Sequence, residues 1–154
     1  MSTDEIMAYY RIDDRVITGG QPTEGQLRSA AEEGYQVVIN LATLDPRYSL
    51  DDEASLVQSL GLAYYPIPVA WEQPTEADFE AFVQVMRSTH GQRLLIHCAA
   101  NYRVSAFYSL YALQHLGWTV AQAEAVRAAL WKRSYPIWDT FIQTVQTRIQ
   151  AQQP

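Results

Sequence analysis

The sequence has little cysteine and little lysine, and it has no long apolar run. Cys98 is the only cysteine among 154 residues, which excludes an internal disulfide and favours a reducing compartment. No apolar stretch approaches the roughly 20 residues that a membrane-spanning helix needs. The opening MSTDEIMAYY also lacks the basic-then-apolar pattern of a signal peptide. We therefore expect a cytoplasmic protein that has no membrane partner.

The balance of charge limits the partners that this chain can have. The formal net charge is −6, which opposes non-specific binding to nucleic acid or to an anionic membrane surface. An anionic substrate stays compatible with this charge, because a local positive cradle works inside an acidic protein. Lys132 is the only lysine, so arginine supplies nearly all the positive charge, and arginine is the better fork for oxyanions.

The order of predicted elements indicates an α/β fold. The predicted strands are 9–12, 16–18, 35–41, 62–69 and 93–97. The predicted helices are 23–33, 51–60, 75–90, 104–115, 119–130 and 136–150. This alternation predicts a mainly parallel central sheet of four to five strands, flanked by helices. Prolines within 62–69 indicate an edge strand or the end of a strand. We expect one domain across 1–154 with its core at about 10–145.

The residues that follow the strand 93–97 can form an anion-binding loop. The chain turns through Cys98 and enters a helix near Arg103, and the amides of residues 99–103 can make an anion nest at that helix end. The guanidinium of Arg103 can donate two parallel hydrogen bonds to two oxygens of an oxyanion. Such a field favours a thiolate, which is a nucleophile when it faces a bound phosphoryl group. Ser105 could donate a hydrogen bond to that thiolate.

Simpler interpretations of these residues compete with the catalytic one. A single cysteine after an apolar strand is most often a core residue, but the frame His-Cys…Arg-x-Ser favours an anion loop. We expect His97 to support the turn by hydrogen bonding rather than to act as a base. His90 and His115 have no cysteine or carboxylate partners at ligand spacing, so we expect no metal and no cofactor.

The sequence resembles the cysteine-dependent phosphatases of the tyrosine and dual-specificity kind. The resemblance rests on the strand, His97-Cys98, the loop, Arg103 and Ser105. Further matches to small bacterial members of that branch are Gly-Gly-Gln-Pro-Thr at 19–23, Val-Ile-Asn-Leu at 38–41, Asp-Glu at 52–53 and Ile-Pro-Val at 67–69.

The resemblance implies a fold and a reaction. The fold would be dual-specificity-phosphatase-like, and the reaction would be metal-independent hydrolysis of a phosphomonoester. Cys98 would attack phosphorus and Arg103 would bind the phosphate, while an acid from an upstream loop would protonate the leaving group. The substrate would be a phosphorylated protein or a small phosphorylated molecule. The oligomeric state stays open.

The loop is one residue shorter than the phosphatase signature, which places five residues between cysteine and arginine. Here there are four, Ala99, Ala100, Asn101 and Tyr102, so Arg103 would be rotated by about 100° on its helix. Asn101 is the residue best suited to a left-handed backbone there. A six-residue Cys-to-Arg loop also resembles rhodanese sulfurtransferases. The alternatives are therefore a persulfide chemistry on Cys98, or an inactive module that only binds phosphate.

The general acid is the second departure from the family pattern. The family carries an aspartate after the strand that ends at Val69, but this sequence reads Ala70-Trp71-Glu72. Glu72 is the nearest carboxyl group, Asp78 follows within the next helix, and the chain could lack an acid altogether. Asp51-Asp52-Glu53 is most simply interpreted as an acidic first turn of a helix.

Three side chains close to the motif leave their roles open. Tyr102 could face the substrate or pack in the core. Trp71 could form a wall of the pocket. Arg47 could line its rim, although a solvated loop arginine is the simpler interpretation.

Overall fold

The protein is described from a computed structural model that covers residues 2–45, 47 and 49–153. Pro46 and Tyr48, between the predicted strand 35–41 and the predicted helix 51–60, lie outside the described residues, as do the two terminal residues of the predicted domain. The strands are β1 Tyr10–Arg11, β2 Val16–Gly19, β3 Val37–Asn40, β4 Ala63–Pro66 and β5 Leu94–His97. The helices are α1 Glu24–Glu32, α2 Glu53–Ser59, α3 Glu76–Ser88, α4 Tyr102–His115, α5 Val120–Leu130 and α6 Pro136–Gln152. The predicted α/β fold is confirmed.

The sheet has five strands in the order β1-β2-β5-β3-β4. β1 is antiparallel to β2, and the other neighbours are parallel. His97 is in register with Gly19 on one side and with Asn40 on the other. The carboxyl end of the central strand therefore lies between two aligned strand ends, and ligands of parallel sheets bind at this edge. β4 lies at the border of the sheet, as its prolines predicted.

Each face of the sheet packs against its own layer of helices. Successive side chains of a strand point to opposite faces, so Leu95 joins one apolar cluster and Ile96 joins the other. The larger cluster contains α3, α4 and α6, and Phe107 at its centre lies 5.6 Å from Phe79 and 6.0 Å from Trp138, ring to ring. The smaller cluster contains α1 and α2. The apolar strands and the apolar faces of the helices both follow from burial of the sheet on its two faces.

Local capping explains where the helices begin. Thr23, Thr75 and Thr119 each accept a hydrogen bond from the third residue of the following helix and form a capping box, which satisfies amides that the helix itself leaves unpaired. α4 begins at Tyr102, two residues earlier than the sequence predicted, because Asn101 adopts φ 68° and turns the chain into the helix at once. In the described part of the chain, no helix is long and apolar enough to cross a membrane.

Candidate active site

Cys98 follows the central strand directly and is almost completely buried. Its amide donates to the carbonyl oxygen of Gly19 at 3.3 Å, and its exposed fraction is 1%. The residue lines a cavity of about 330 Å³, which we call the Cys98 cavity. The lining consists of Trp71, Cys98, Ala99, Ala100, Tyr102, Arg103, Arg133 and Tyr135. The structure thus brings Cys98 and Arg103 to one cavity at the edge of the sheet where the sequence placed them.

The loop after Cys98 is held against the end of β2. The amide of Gln21 donates to the carbonyl oxygen of Ala99 at 3.0 Å, and Gly20 pairs with Ala100 as an isolated bridge. A Cβ atom on Gly20 would lie only 2.5 Å from the carbonyl oxygen of Ala99. Glycine is therefore required at position 20, because two backbone segments approach each other without room for a side chain.

Asn101 shapes the second half of the loop. Its backbone has the left-handed conformation that the sequence indicated for this residue, with φ 68°. Its fully buried side-chain amide donates to the carbonyl oxygen of Ala8 at 2.9 Å and to Thr18 Oγ1 at 3.0 Å. Asn101 therefore fixes the loop both through its backbone and through two hydrogen bonds to earlier segments of the chain.

Four of the described backbone amides of the loop have no hydrogen-bond partner. Within the described residues, the amides of Ala99, Ala100, Tyr102 and Arg103 donate to no other group. The last two open α4, a helix of 14 residues whose N-terminus carries partial positive charge. Unpaired amides at a helix N-terminus stabilise an oxyanion, so the loop has the chemistry of an anion cradle in spite of its short length.

Arg103 lies in the first turn of α4, and its exposed fraction is 7%. Its Nη1 atom donates to the carbonyl oxygen of Val69 at 2.9 Å, and its guanidinium carbon lies 6.0 Å from the ring centre of Trp71. A guanidinium has five N–H donors, so this single bond positions the group and leaves donors for a ligand. The arginine thus connects the anion cradle to the end of the segment that follows β4.

Arg103 also lines a second cavity, of about 270 Å³, which we call the Arg47 cavity. Its lining consists of Gln21, Ala42, Thr43, Asp45, Arg47, Ser49, Trp71, Ala99 and Arg103. Asp45 forms an ion pair with Arg47 at 2.8 Å, and the hydrogen bond from Arg47 lowers the pKa of the Asp45 carboxyl. The sequence left Arg47 as a rim residue or a solvated one, and the structure places this exposed side chain at the rim.

The two carboxyl groups expected as general acids lie elsewhere. Glu72 is exposed and belongs to the lining of neither cavity. Asp78 caps α3, where its carboxylate accepts a hydrogen bond from the amide of Thr75 at 3.3 Å. Among the described carboxylates, Asp45 is the one that lines a cavity beside Arg103, and its lowered pKa keeps it ionised.

Ser105 is fully engaged within the protein. Its hydroxyl group donates to the carbonyl oxygen of Asn101 at 2.6 Å and accepts from Trp131 Nε1 at 2.9 Å. A serine hydroxyl has one proton to donate, and here that proton is directed at the backbone of the loop rather than at the Cys98 sulfur. Ser105 therefore supports the turn that begins α4.

A buried pair behind Cys98 was not anticipated from the sequence. His97 Nε2 lies 2.7 Å from Glu53 Oε2, and both side chains are buried. Gln21 Nε2 donates to the other carboxylate oxygen of Glu53 at 2.7 Å. The acidic run 51–53 and the glutamine of Gly-Gly-Gln-Pro-Thr were visible signals, but the sequence does not show that Glu53 turns inward while Asp52 caps α2.

Burial and hydrogen bonding have opposite effects on the pKa of the Glu53 carboxyl. Burial alone would raise the pKa of the Glu53 carboxyl, but the hydrogen bond and the charge of His97, with the hydrogen bond from Gln21, outweigh it and lower the pKa. Burial also raises the pKa of Tyr64, which lies close to Glu53, to about 12. Glu53 is therefore a buried anion with neighbours that stabilise its charge.

Three aromatic rings form one wall of the Cys98 cavity, and we call them the aromatic wall: Trp71, Tyr102 and Tyr135. The ring centres of Trp71 and Tyr135 lie 5.1 Å apart, and those of Tyr102 and Tyr135 lie 5.6 Å apart. The sequence left open whether Tyr102 faces the substrate or packs in the core. In the structure its half-buried ring packs on its neighbours and also lines the cavity. Arg133 stands at the edge of this wall and donates to the Tyr135 hydroxyl at 3.0 Å.

The described residues contain no group of three or more histidine, cysteine, aspartate and glutamate side chains that could hold a metal ion. The charged groups that line the Cys98 cavity are the guanidinium groups of Arg103 and Arg133, which are donors, as are the free amides of the loop. Donors of this kind bind an oxyanion and not a cation.

Known proteins have a similar fold. A DUF442 protein of Shewanella putrefaciens CN-32, named as a candidate phosphatase, has 33% sequence identity and a TM-score of 0.85, with 95% of each chain covered. A solved structure of PTPMT1 in complex with PI(5)P has 20% identity, a TM-score of 0.75 and coverage of 93% of this chain and 97% of that one. At that identity the second likeness concerns the fold alone.

A curated relative matches a smaller part of the chain. It is a "Beta-lactamase hydrolase-like protein" of Xylella fastidiosa (strain Temecula1), 33% identical over 102 residues. The match covers 64% of this chain and 23% of the relative. The chain thus spans about a quarter of the length of the curated relatives that it matches.

The fold and the loop after the central strand define a member of the cysteine-dependent phosphatase superfamily, of the tyrosine and dual-specificity kind. Within that superfamily, the chain belongs to the family described as "DSP-PTPase phosphatase fused to NAD+ Kinase", whose sequence model matches residues 2–146.

Proposed function

We propose that this protein is a metal-independent phosphatase that hydrolyses a phosphomonoester through a phosphocysteine on Cys98. One observation carries the proposal: Cys98 and Arg103 line the same cavity at the N-terminus of α4. A nucleophile and an oxyanion fork that share a small cavity, beside free amides, are the parts that phosphoryl transfer to a thiolate needs.

The reaction has two displacements at phosphorus. In the first, the Cys98 thiolate forms a P–S bond while the P–O bond to the leaving group breaks, and the departing oxygen takes a proton. In the second, water forms a P–O bond, the P–S bond breaks, and inorganic phosphate and the thiolate are released. Arg103 and the free amides of residues 99, 100, 102 and 103 hold the equatorial oxygens in both steps, because charge develops there.

Neither Glu72 nor Asp78 lines the Cys98 cavity, so neither is placed to protonate the leaving oxygen in this structure. Glu72 stays our candidate for the acid, and that role would need the segment 70–74 to bring it to the cavity. The carbonyl oxygen of Trp71 accepts a hydrogen bond from Trp138 Nε1 at 2.8 Å, which holds this segment in place. We therefore propose that the enzyme prefers phosphoesters whose leaving oxygen is weakly basic.

The substrate that we propose is a phosphorylated protein or a small phosphorylated molecule. The aromatic wall supports a flat leaving group, because ring faces bind planar groups better than extended alkyl chains. Curated relatives are bacterial proteins, and a chain with a single cysteine fits a reducing compartment. Both points support the bacterial cytoplasm as the place of action.

Turnover of p-nitrophenyl phosphate tests the proposal, since its leaving group needs no proton from an acid. We expect turnover that vanadate inhibits and that Cys98→Ser abolishes. A second test variant is Arg103→Lys. Its matched control is Arg28→Lys, because Arg28 forms an exposed ion pair with Glu24 on α1. Absence of Cys98-dependent turnover between pH 5 and 8, in protein whose circular dichroism shows a folded chain, would contradict the proposal.

A sulfurtransferase activity is the second candidate, and the four-residue spacing from Cys98 to Arg103 favours it. The thiolate would take the outer sulfur of thiosulfate, forming a persulfide and releasing sulfite. Cyanide would then attack that outer sulfur, giving thiocyanate and the free thiolate. Thiocyanate production that Cys98→Ser abolishes would support this activity. Phosphate binding without either turnover would instead indicate a module that only binds phosphate.

A further inference from the structure

The two arginines that line the Cys98 cavity lie beside different rings of the aromatic wall. The guanidinium carbon of Arg103 lies 6.0 Å from the ring centre of Trp71. Arg133 Nε instead donates to the Tyr135 hydroxyl at 3.0 Å. The rings of Trp71 and Tyr135 pack on each other, with 5.1 Å between their centres. A pair of packed rings thus connects one guanidinium to the other.

We propose that Arg133 is a specificity-determining residue that binds a second anionic group of the substrate. The substrate is then an aryl phosphomonoester that carries another anion, with its phosphoryl group at Arg103 and its ring on the aromatic wall. The inference rests on the proposed phosphatase function and adds to it the chemistry of the group that leaves.

The described residues do not neutralise the charge of Arg133. Four arginines elsewhere in the chain form ion pairs with carboxylates: Arg11, Arg28, Arg47 and Arg148. Among the residues that the structure describes, no carboxylate forms an ion pair with Arg103 or Arg133, and none lines the Cys98 cavity. In a chain whose net charge is −6, this cavity is therefore a place of local positive potential, which attracts anions.

Arg133 keeps hydrogen-bond donors for a ligand. A guanidinium has five N–H groups, and the bond to Tyr135 uses the one on Nε. Within the described part of the chain, the terminal nitrogens of Arg133 donate to no other group. The Tyr135 hydroxyl thus holds the guanidinium beside the cavity, so that less side-chain freedom is lost when an anion binds.

The position of Arg133 suits selection of the substrate rather than the chemical step. Arg103 lies in the first turn of α4 with an exposed fraction of 7%, whereas Arg133 lies between α5 and α6 and is exposed. An anion bound to Arg133 stays partly hydrated, and exposed ion pairs add only modestly to affinity. The expected effect is therefore a preference among ligands of the same cavity.

Binding of arylmethylphosphonates tests the inference without turnover, because a CH₂ group replaces the oxygen that would leave. The probes carry a carboxylate, a second phosphonate or a neutral carbamoyl group at the meta or para position of the ring. We expect the wild type to bind an anionic probe about three- to fivefold more tightly than the carbamoyl probe at low ionic strength, as measured by calorimetry. The tighter of the two anionic probes identifies the group that Arg133 selects.

Arg133→Gln should lower the affinity for the anionic probes to that for the carbamoyl probe. Lys132→Gln is the matched control, because Lys132 is the adjacent exposed cation and lines neither cavity. It should keep the preference of the wild type, since a general loss of positive charge would affect both variants equally.

Three results would overturn the inference: no preference of the wild type for any anionic probe, the same preference in Arg133→Gln, or an equal loss in both variants. Absence of binding of all the probes would overturn it as well. The outcome is separate from that of the turnover assay. A protein that shows the preference but hydrolyses no phosphoester would contradict the proposed function and still support the anion site at Arg133.

Discussion

The side-chain amide of Asn101 donates to the main-chain carbonyl of Ala8, which is 93 residues earlier in the chain, at 2.9 Å. Ala8 has φ 54°, so both residues of this pair have left-handed backbones. The amide of Gly20 donates to the carbonyl oxygen of Met7 at 2.7 Å. The segment before β1 thus supports the anion loop by hydrogen bonding, although none of its described residues lines the Cys98 cavity.

Substitution of Asn101 should separate its backbone role from its side-chain role. Asn101→Gly keeps the left-handed backbone and loses the hydrogen bonds to Ala8 and Thr18, so we expect a loss of about 1–3 kcal/mol of unfolding free energy. Asn101→Ala loses the same hydrogen bonds, and alanine tolerates a left-handed backbone less well than glycine or asparagine, so this variant should cost about 1 kcal/mol more. Urea unfolding measures both, with the exposed Ser59→Ala as the control. Equal stability of Asn101→Ala and the wild type would contradict this account.

Arg103→Lys should weaken phosphate binding although it keeps the charge. Lysine has no planar fork, and it cannot reach the carbonyl oxygen of Val69 and an oxyanion with separate donors. We expect binding of phosphate or vanadate to weaken about tenfold or more, as measured by calorimetry. Arg28→Lys should bind like the wild type. Unchanged affinity of Arg103→Lys would show that Arg103 contributes only charge.

Glu72→Gln should leave turnover of p-nitrophenyl phosphate within about twofold of the wild type, because Glu72 lies outside both cavities and this leaving group needs no acid. Kinetics with an alkyl phosphate provide the contrast. A drop of about 100-fold there, with little change for the aryl phosphate, would identify Glu72 as the acid. The segment 70–74 would then have to move during the reaction.

Glu53 should make stability depend on pH in the acid range. Its pKa is lower in the folded protein than the ordinary value of 4.5, so its contribution is present above that value and is lost as pH falls through the folded pKa. Urea unfolding of the wild type between pH 3 and 6 should show this loss, and Glu53→Gln should show a flatter profile. Asp52→Asn is the control, because it removes a charge at the adjacent position and asparagine also caps helices. Equal slopes in all three proteins would contradict the assignment.

The fold was open to prediction because its signals are local. Buried parallel strands are continuous apolar runs, such as Leu94–His97, and threonine caps mark the helix starts at Thr23, Thr75 and Thr119. The left-handed backbone of Asn101 was also predictable from its residue type. These features depend on the residue and its close neighbours, which is the information that a sequence displays directly.

The environment of the site was harder to predict because it depends on contacts between distant segments. Glu53 is 44 residues from His97 in the chain, and an acidic residue in the first turn of a helix is normally exposed. Trp131 donates to Ser105 from 26 residues away. No local pattern distinguishes such a buried partner from a surface residue, so the sequence showed the loop but not the side chains behind it.

The packing of tryptophans beside the site has a practical consequence. The protein has four tryptophans, and the rings of Trp131 and Trp138 lie 6.3 Å and 5.4 Å from the ring of Trp71. The fourth, Trp118, instead packs on Tyr108. Three of the four indoles are thus close enough to exchange excitation, and one of them lines both cavities. The tryptophan fluorescence of the unlabelled protein should therefore change when a ligand binds beside Cys98, so binding can be followed without an added dye.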